Sequence, residues 1–237
     1  MDFSPITLGF ALALVMGLPV LAARGGVPED DVRYIAGART AVYASAALSL
    51  MFLSAVAFAV AWWQDVPAES LGWRVGAAGP AFAWAAGVAV GGLLLAWVLV
   101  RIGRRLGFEE SPITLALMPR TGREVRAFLV MVGIAAVGEE YLFRGFAWNV
   151  LSEPLGAWPA ALLTSVSFGL SHGYQRVLGV VRASLLGLVL TLPVMWTGSL
   201  FPAVVAHFWI NAAIGVGAWK FLYSPEEVEE SDEGAEP

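Results

Sequence analysis

Apolar residues fall along this chain in long runs, broken by short polar stretches. Seven runs stand out, at 3–23, 35–63, 75–100, 127–151, 158–171, 178–196 and 202–223. A helix needs about 20 mainly apolar residues to cross the hydrocarbon core of a bilayer. Most of the runs approach or exceed that length, so the pattern predicts transmembrane helices. Strand-like alternation and internal repeats are absent from the sequence. Polar segments at 24–33, 64–74 and 101–126 read as loops, and an eighth helix hidden within 106–122, around 113–118, would be interfacial. Trp62 and Trp63 close the second run and fit an aromatic belt at the membrane surface. Gly and Ala in the third run permit close helix approach. The expected fold is all-α: one polytopic bundle over 1–223, with an acidic disordered tail at 224–237. No positive charge precedes the first run, as a cleaved signal peptide would require, so that run is expected to be a retained helix.

Composition agrees. The 237 residues are 58% hydrophobic and only 14% charged, with a mean hydropathy of +0.72. Soluble domains average about 25% charged. There is no cysteine, which removes disulfides, thiolate metal sites and a thiol nucleophile. The net charge of −5 comes largely from the acidic tail, to which only solvation is assigned. Alternating the loops across a bilayer puts Arg24, Arg33, Arg39, Arg101, Arg104, Arg105, Arg120, Arg123, Arg126, Arg176, Arg182 and Lys220 on one side. That is 12 of 14 basic residues. Arg74 falls on the other side and Arg144 inside the membrane. Positive loops face the cytoplasm, so the N-terminus is expected outside and the C-terminus inside. Thirteen arginines against one lysine, with abundant Ala, Gly and Val, suit a GC-rich bacterial genome, so the expected location is a bacterial cytoplasmic membrane. The 101–126 section would lie against anionic lipid. No nucleic acid partner is expected, and the sequence does not fix an oligomeric state.

Polar groups inside the apolar runs carry the chemistry. Glu139, Glu140 and Arg144 lie in the fourth run. An ionisable side chain near the bilayer centre costs about 2.5–3.5 kcal/mol on insertion scales, so such groups face partners or a wet cavity. On a helix Glu140 and Arg144 share a face, with the acid first. Glu139 points about 100° away. This predicts a Glu140–Arg144 clamp with Glu139 free for chemistry; one ion-pair cluster locking two helices is the plainer alternative. The only two histidines, His172 and His207, lie in or beside later runs, and Asn211 follows His207 by one turn.

A carboxylate and an imidazole can hold and deprotonate one water. A second imidazole and a carboxamide can donate to a developing oxyanion. Such a set makes a hydrolase without a Ser or Cys nucleophile. Alternatively, Glu139, His172 and His207 could bind Zn²⁺ with an open fourth position, although no His-Glu-x-x-His motif is present.

Glu139-Glu140-x-x-x-Arg144, then Phe168-x-x-x-His172, then His207-x-x-x-Asn211, in that order on successive helices, resemble the three motifs of the CPBP intramembrane protease family. That family includes type II CAAX prenyl endopeptidases and bacteriocin-processing, immunity and abortive infection proteins. A Gly-Ser-Leu-x-Pro run at 198–202 precedes the last histidine. The resemblance covers roughly 125–222, the expected catalytic core. It implies an endopeptidase whose last four helices form a cone around the site. Glu139 would activate the water with His172 sharing it, His207 and Asn211 would stabilise the oxyanion, and Glu140, Arg144 and Phe168 would support them. The substrate would be a membrane-associated, hydrophobic or lipid-modified peptide. A non-catalytic scaffold or immunity protein of the same fold, and a proton-coupled carrier, are the rival classes. Straight spans with these boundaries put His172 near a membrane edge and Glu139 deeper, whereas one site needs them level.

Overall fold

The computed structural model describes residues 3–24, 32–74 and 78–218. Those residues form ten α-helices, joined by short 3₁₀ and π segments, with no strand among them. In order they are α1 (Pro5–Arg24), α2 (Val32–Gly37), α3 (Arg39–Trp63), α4 (Ala78–Arg105), α5 (Pro112–Ala116), α6 (Gly122–Glu140), α7 (Asn149–Leu155), α8 (Ala157–Leu170), α9 (Arg176–Thr197) and α10 (Phe201–Ala213). The predicted tail at 224–237 lies outside the described residues, as does the end of the last predicted span.

The predicted spans are mainly helical over their described parts, but Ala38 interrupts the second and separates α2 from α3, so the count of seven spans is not reproduced one for one. Four segments are long and apolar enough to cross a membrane: Pro5–Arg24, Arg39–Trp63, Ala78–Arg105 and Gly173–Thr197. Ala157–Leu170 and Phe201–Gly217 are apolar but shorter. This is an integral membrane helix bundle. Large apolar side chains on its perimeter, such as Leu48, Phe52, Phe58, Val90 and Leu94, are exposed, as lipid-facing positions should be. Half of the apolar window of α9 is buried, against 17% for α3, so α9 is central and α3 peripheral. Phe146, Leu142, Ile210, Leu200 and Val194 are all almost fully buried and form the core.

Three elements depart from the sequence reading. The fourth run is not one regular helix. After Glu140 the chain widens into a π-helical segment, Tyr141–Trp148, before α7 begins. Within the segment read as a loop, Ile113, Leu115 and Ala116 belong to the short helix α5 and are buried, packing with Ile35 and Ala36. The five-residue α5 cannot cover its own backbone, and Arg39 Nε donates to the Ala116 carbonyl at 2.6 Å. Finally, Arg176 belongs to α9 itself, because the helix starts before the apolar run does, and Arg182 lies about one turn into that run.

Local chemistry explains how the site helices are set. A capping box starts α6: the Glu124 N–H donates to Thr121 Oγ1, and the Thr121 N–H donates to Glu124. Pro19 in α1 lacks the N–H that would bond the Val15 carbonyl. Ser167 Oγ of α8 donates to that carbonyl at 2.6 Å, which ties α1 to α8. A Cβ on Gly169 would stand 2.5 Å from the Val180 carbonyl, so only glycine permits this approach of α8 to α9. At about 1.5 Å per residue, the 14 residues of α8 fall short of an apolar core about 30 Å thick.

Candidate active site

Glu140 ends α6 and is fully buried. Arg144 lies one turn later in the π segment and is also fully buried. Arg144 Nη1 donates to Glu140 Oε1 at 2.9 Å, and Nη2 donates to the Gly187 carbonyl of α9 at 2.9 Å. A Cβ at Gly187 would press on that guanidinium at 2.9 Å, so a glycine there makes room for Arg144. Thr191 Oγ1 donates to the same Gly187 carbonyl and faces Arg144 Nε at 3.5 Å. The guanidinium also lies 4.5 Å over the ring of Phe168.

His207 belongs to the same cluster. Its Nδ1 stands 2.8 Å from Glu140 Oε1, and its Nε2 is 3.6 Å from Glu139 Oε2. The imidazole is thus clasped between the two consecutive carboxylates. Glu140 is more than a partner for Arg144, and Glu139 is not wholly free. Glu139 stays the more open acid, with a side chain 16% exposed against 0% for Glu140. The second Glu140 oxygen, Oε2, is buried without a hydrogen-bond partner among the described residues. A buried acceptor in that condition is costly and fits a polar pocket.

His172 is placed differently. It follows the last turn of α8, and its Nδ1 bonds the Phe168 carbonyl at 2.8 Å. Neither carboxylate lies within the 4.0 Å ion-pair distance of it among the described residues. Phe168 links the two histidines: its ring centroid is 4.7 Å from that of His172 and 6.1 Å from that of His207. Asn211, one turn beyond His207 on α10, is half-buried and makes no side-chain hydrogen bond among the described residues. All seven residues singled out in the sequence therefore lie on α6, the π segment, α8, α10 and their ends, with α9 supplying Gly187 and Thr191. Glu139 thus has a direct neighbour in His207, which the sequence reading did not anticipate.

Sequence reasoning missed Asn149, Gly187 and Thr191. Asn149 Nδ2 donates to the carbonyls of Arg144 and Gly145, both at 2.9 Å. These are carbonyls that a widened turn leaves short of ordinary α-helical partners. Its place five residues after Arg144 was the only signal.

The hydrogen bonds fix what each imidazole can do. A carbonyl only accepts, so His172 Nδ1 carries the proton and its Nε2 lone pair is free to take another. Glu140 Oε1 faces His207 Nδ1, and Glu139 Oε2 faces its Nε2. The arrangement leaves His172 Nε2 as an acceptor and sets His207 between two carboxylates.

As placed, the donors do not make a His₂Glu metal site. Among the described residues no three His, Asp or Glu groups lie together so as to hold a metal ion. A groove between α4 and α9, lined by Trp84 and Val189, contains none of the site residues.

Residues 121–213 match the family model described as Rce1-like, type II CAAX prenyl endopeptidase. The match spans all of these site residues. No curated protein and no solved structure matches the chain.

Proposed function

Because the chain belongs, through residues 121–213, to the CPBP family of Rce1-like type II CAAX prenyl endopeptidases, we propose that it is an intramembrane endopeptidase working through a water activated at Glu139. The observation that carries this reading is the clasp of His207 between Glu139 and Glu140, with the free Nε2 of His172 across Phe168. Glu139 accepts one proton of the water, and His172 orients it through Nε2. The hydroxide oxygen bonds to the scissile carbonyl carbon. The carbonyl oxygen gains charge and takes hydrogen bonds from His207 Nε2–H and the Asn211 amide. The carbon–nitrogen bond then breaks, and the proton held at Glu139 passes to the leaving amine. Glu140, Arg144 and Phe168 hold the imidazole and the acid in register.

The substrate is a membrane-associated peptide, hydrophobic or lipid-modified, since lipid surrounds the helices that carry the site. The chain sits with its N-terminus outside and its C-terminus in the cytoplasm of a bacterial membrane, which puts 12 of 14 basic residues on the cytoplasmic side.

A non-catalytic scaffold is the second reading. Glu140, Arg144, His207 and Gly187 satisfy one another largely by themselves, as a structural lock would. Purified protein in liposomes, offered a quenched peptide library, separates the two. The protease reading predicts cleavage that Glu139→Ala and His172→Ala each reduce by about 10²–10⁴-fold. A well-folded wild type that cleaves nothing favours the scaffold, and unreduced cleavage in both variants removes the assignment of the base. Cleavage is expected to survive exhaustive chelation, with no metal found by elemental analysis. Loss on chelation and recovery with Zn²⁺ would redirect the chemistry to a metal.

A further inference from the structure

A second buried ion pair lies beside the turn that carries His172. Glu110, in the link between α4 and α5, is 5% exposed, and Arg182 on α9 is 7% exposed. Arg182 Nη1 donates to Glu110 Oε1 at 2.5 Å, and Nη2 approaches Glu110 Oε2 at 3.4 Å. The same Nη2 donates to Gln175 Oε1 at 3.2 Å. Gln175 Nε2 in turn donates to the Tyr174 hydroxyl at 3.0 Å. The Tyr174 ring is 6.1 Å from the ring of His172. The Gln175 N–H bonds the His172 carbonyl at 2.9 Å, closing the 3₁₀ turn Gly173–Gln175. Arg176, the next residue, has φ 59°, a left-handed backbone that a non-glycine side chain adopts only under constraint. A Cβ on Gly179 would displace Gln175, so the helix surface beneath it is cut to fit.

This chain of contacts has no part in the proposed chemistry, yet each step leads towards His172. The strained Arg176 shows that the turn does not settle into this shape unaided. A buried pair gives little net stability compared with apolar packing, but a guanidinium fork fixes direction well. We propose that Glu110 and Arg182 are positioning residues: through Gln175 they hold the Gly173–Gln175 turn so that His172 Nε2 faces the reacting water. This rests on the reading of His172 as a proton acceptor.

The test compares Glu110→Gln, Arg182→Lys and Gln175→Met in the full chain in liposomes. Gln175→Met cuts the link to Tyr174 while leaving the buried pair intact, so it remains informative if the other two fail to fold. One readout is kcat and KM for a peptide cleaved by the wild type. The other, independent of activity, is hydrogen exchange at the imidazole Cε1 of each histidine by mass spectrometry; with only two histidines the signals are unambiguous. The positioning role predicts a fall in kcat of about 100-fold with little change in KM. It also predicts an altered exchange rate at His172 and an unaltered one at His207. Unchanged His172 exchange in a folded Gln175→Met protein overturns the proposal, even where the wild type proves to be a protease. If the wild type cleaves nothing, the hydrolase reading fails, but altered exchange at His172 alone still supports the positioning contact.

Discussion

The two histidine regions solve the same placement problem by opposite means. His207 sits within a helix, buried, between two acids, one of which is neutralised by a buried arginine. His172 sits past a helix end, held by its own helix carbonyl and by a turn under strain. Charge fixes the first, and backbone shape fixes the second. The difference separates their surroundings: one imidazole is flanked by carboxylates, whereas the one bound to a neutral carbonyl keeps a lone pair at Nε2.

This contrast can be broken at several points. Glu139→Gln should have the largest effect, lowering cleavage by about 10²–10⁴-fold while leaving the melting temperature near that of the wild type; a large loss of stability would mean that Glu139 is part of the lock. Arg144→Ala takes the guanidinium from the buried Glu140, leaving only His207 Nδ1 beside it, and should cost about 3–5 kcal/mol, read from denaturant or thermal unfolding in detergent. His172→Gly should regain part of its activity with added free imidazole, because the turn is accessible, and His207→Gly should not. Asn149→Ala removes two hydrogen bonds from the π segment and should cost about 1–3 kcal/mol, with a smaller loss of activity than Glu139→Gln.

Glu124 gives the smallest effect. Burial pushes its carboxyl up, but N–H donors from Arg120 and Thr121, with Arg39 nearby, outweigh that and hold it below the usual carboxylate range. Its contribution is then present above the unfolded-state pKa and lost as pH falls through the lower folded value. The melting temperature of the wild type should drop below about pH 4.5 more steeply than that of Glu124→Gln.

Much of this was legible from the chain itself. Apolar runs located the helices, because in lipid a helix is the economical way to satisfy the backbone. Glu139, Glu140, Arg144, His172 and His207 stood out because charge inside apolar sequence needs a partner. What stayed hidden depends on the third dimension. Nothing in Tyr141–Trp148 announces a π turn, and the donors that Asn149 supplies to it follow only once the turn is known. Gly187 and Thr191 read as ordinary residues of an apolar helix until Arg144 is laid across them. Glu110 looked like a loop acid, since its partner Arg182 is 72 positions away. The burial of α5 was missed for the same reason: its cover comes from α2, far off in sequence.

The most direct test of the central claim is single-turnover cleavage in H₂¹⁸O by wild type and Glu139→Gln, followed by mass spectrometry of both products and of the protein. The account predicts one ¹⁸O in the new carboxylate from the wild type, no covalent acyl-protein at any time, and no product from the variant. Trapping of an acyl-protein, or cleavage by Glu139→Gln at the wild-type rate, would contradict it.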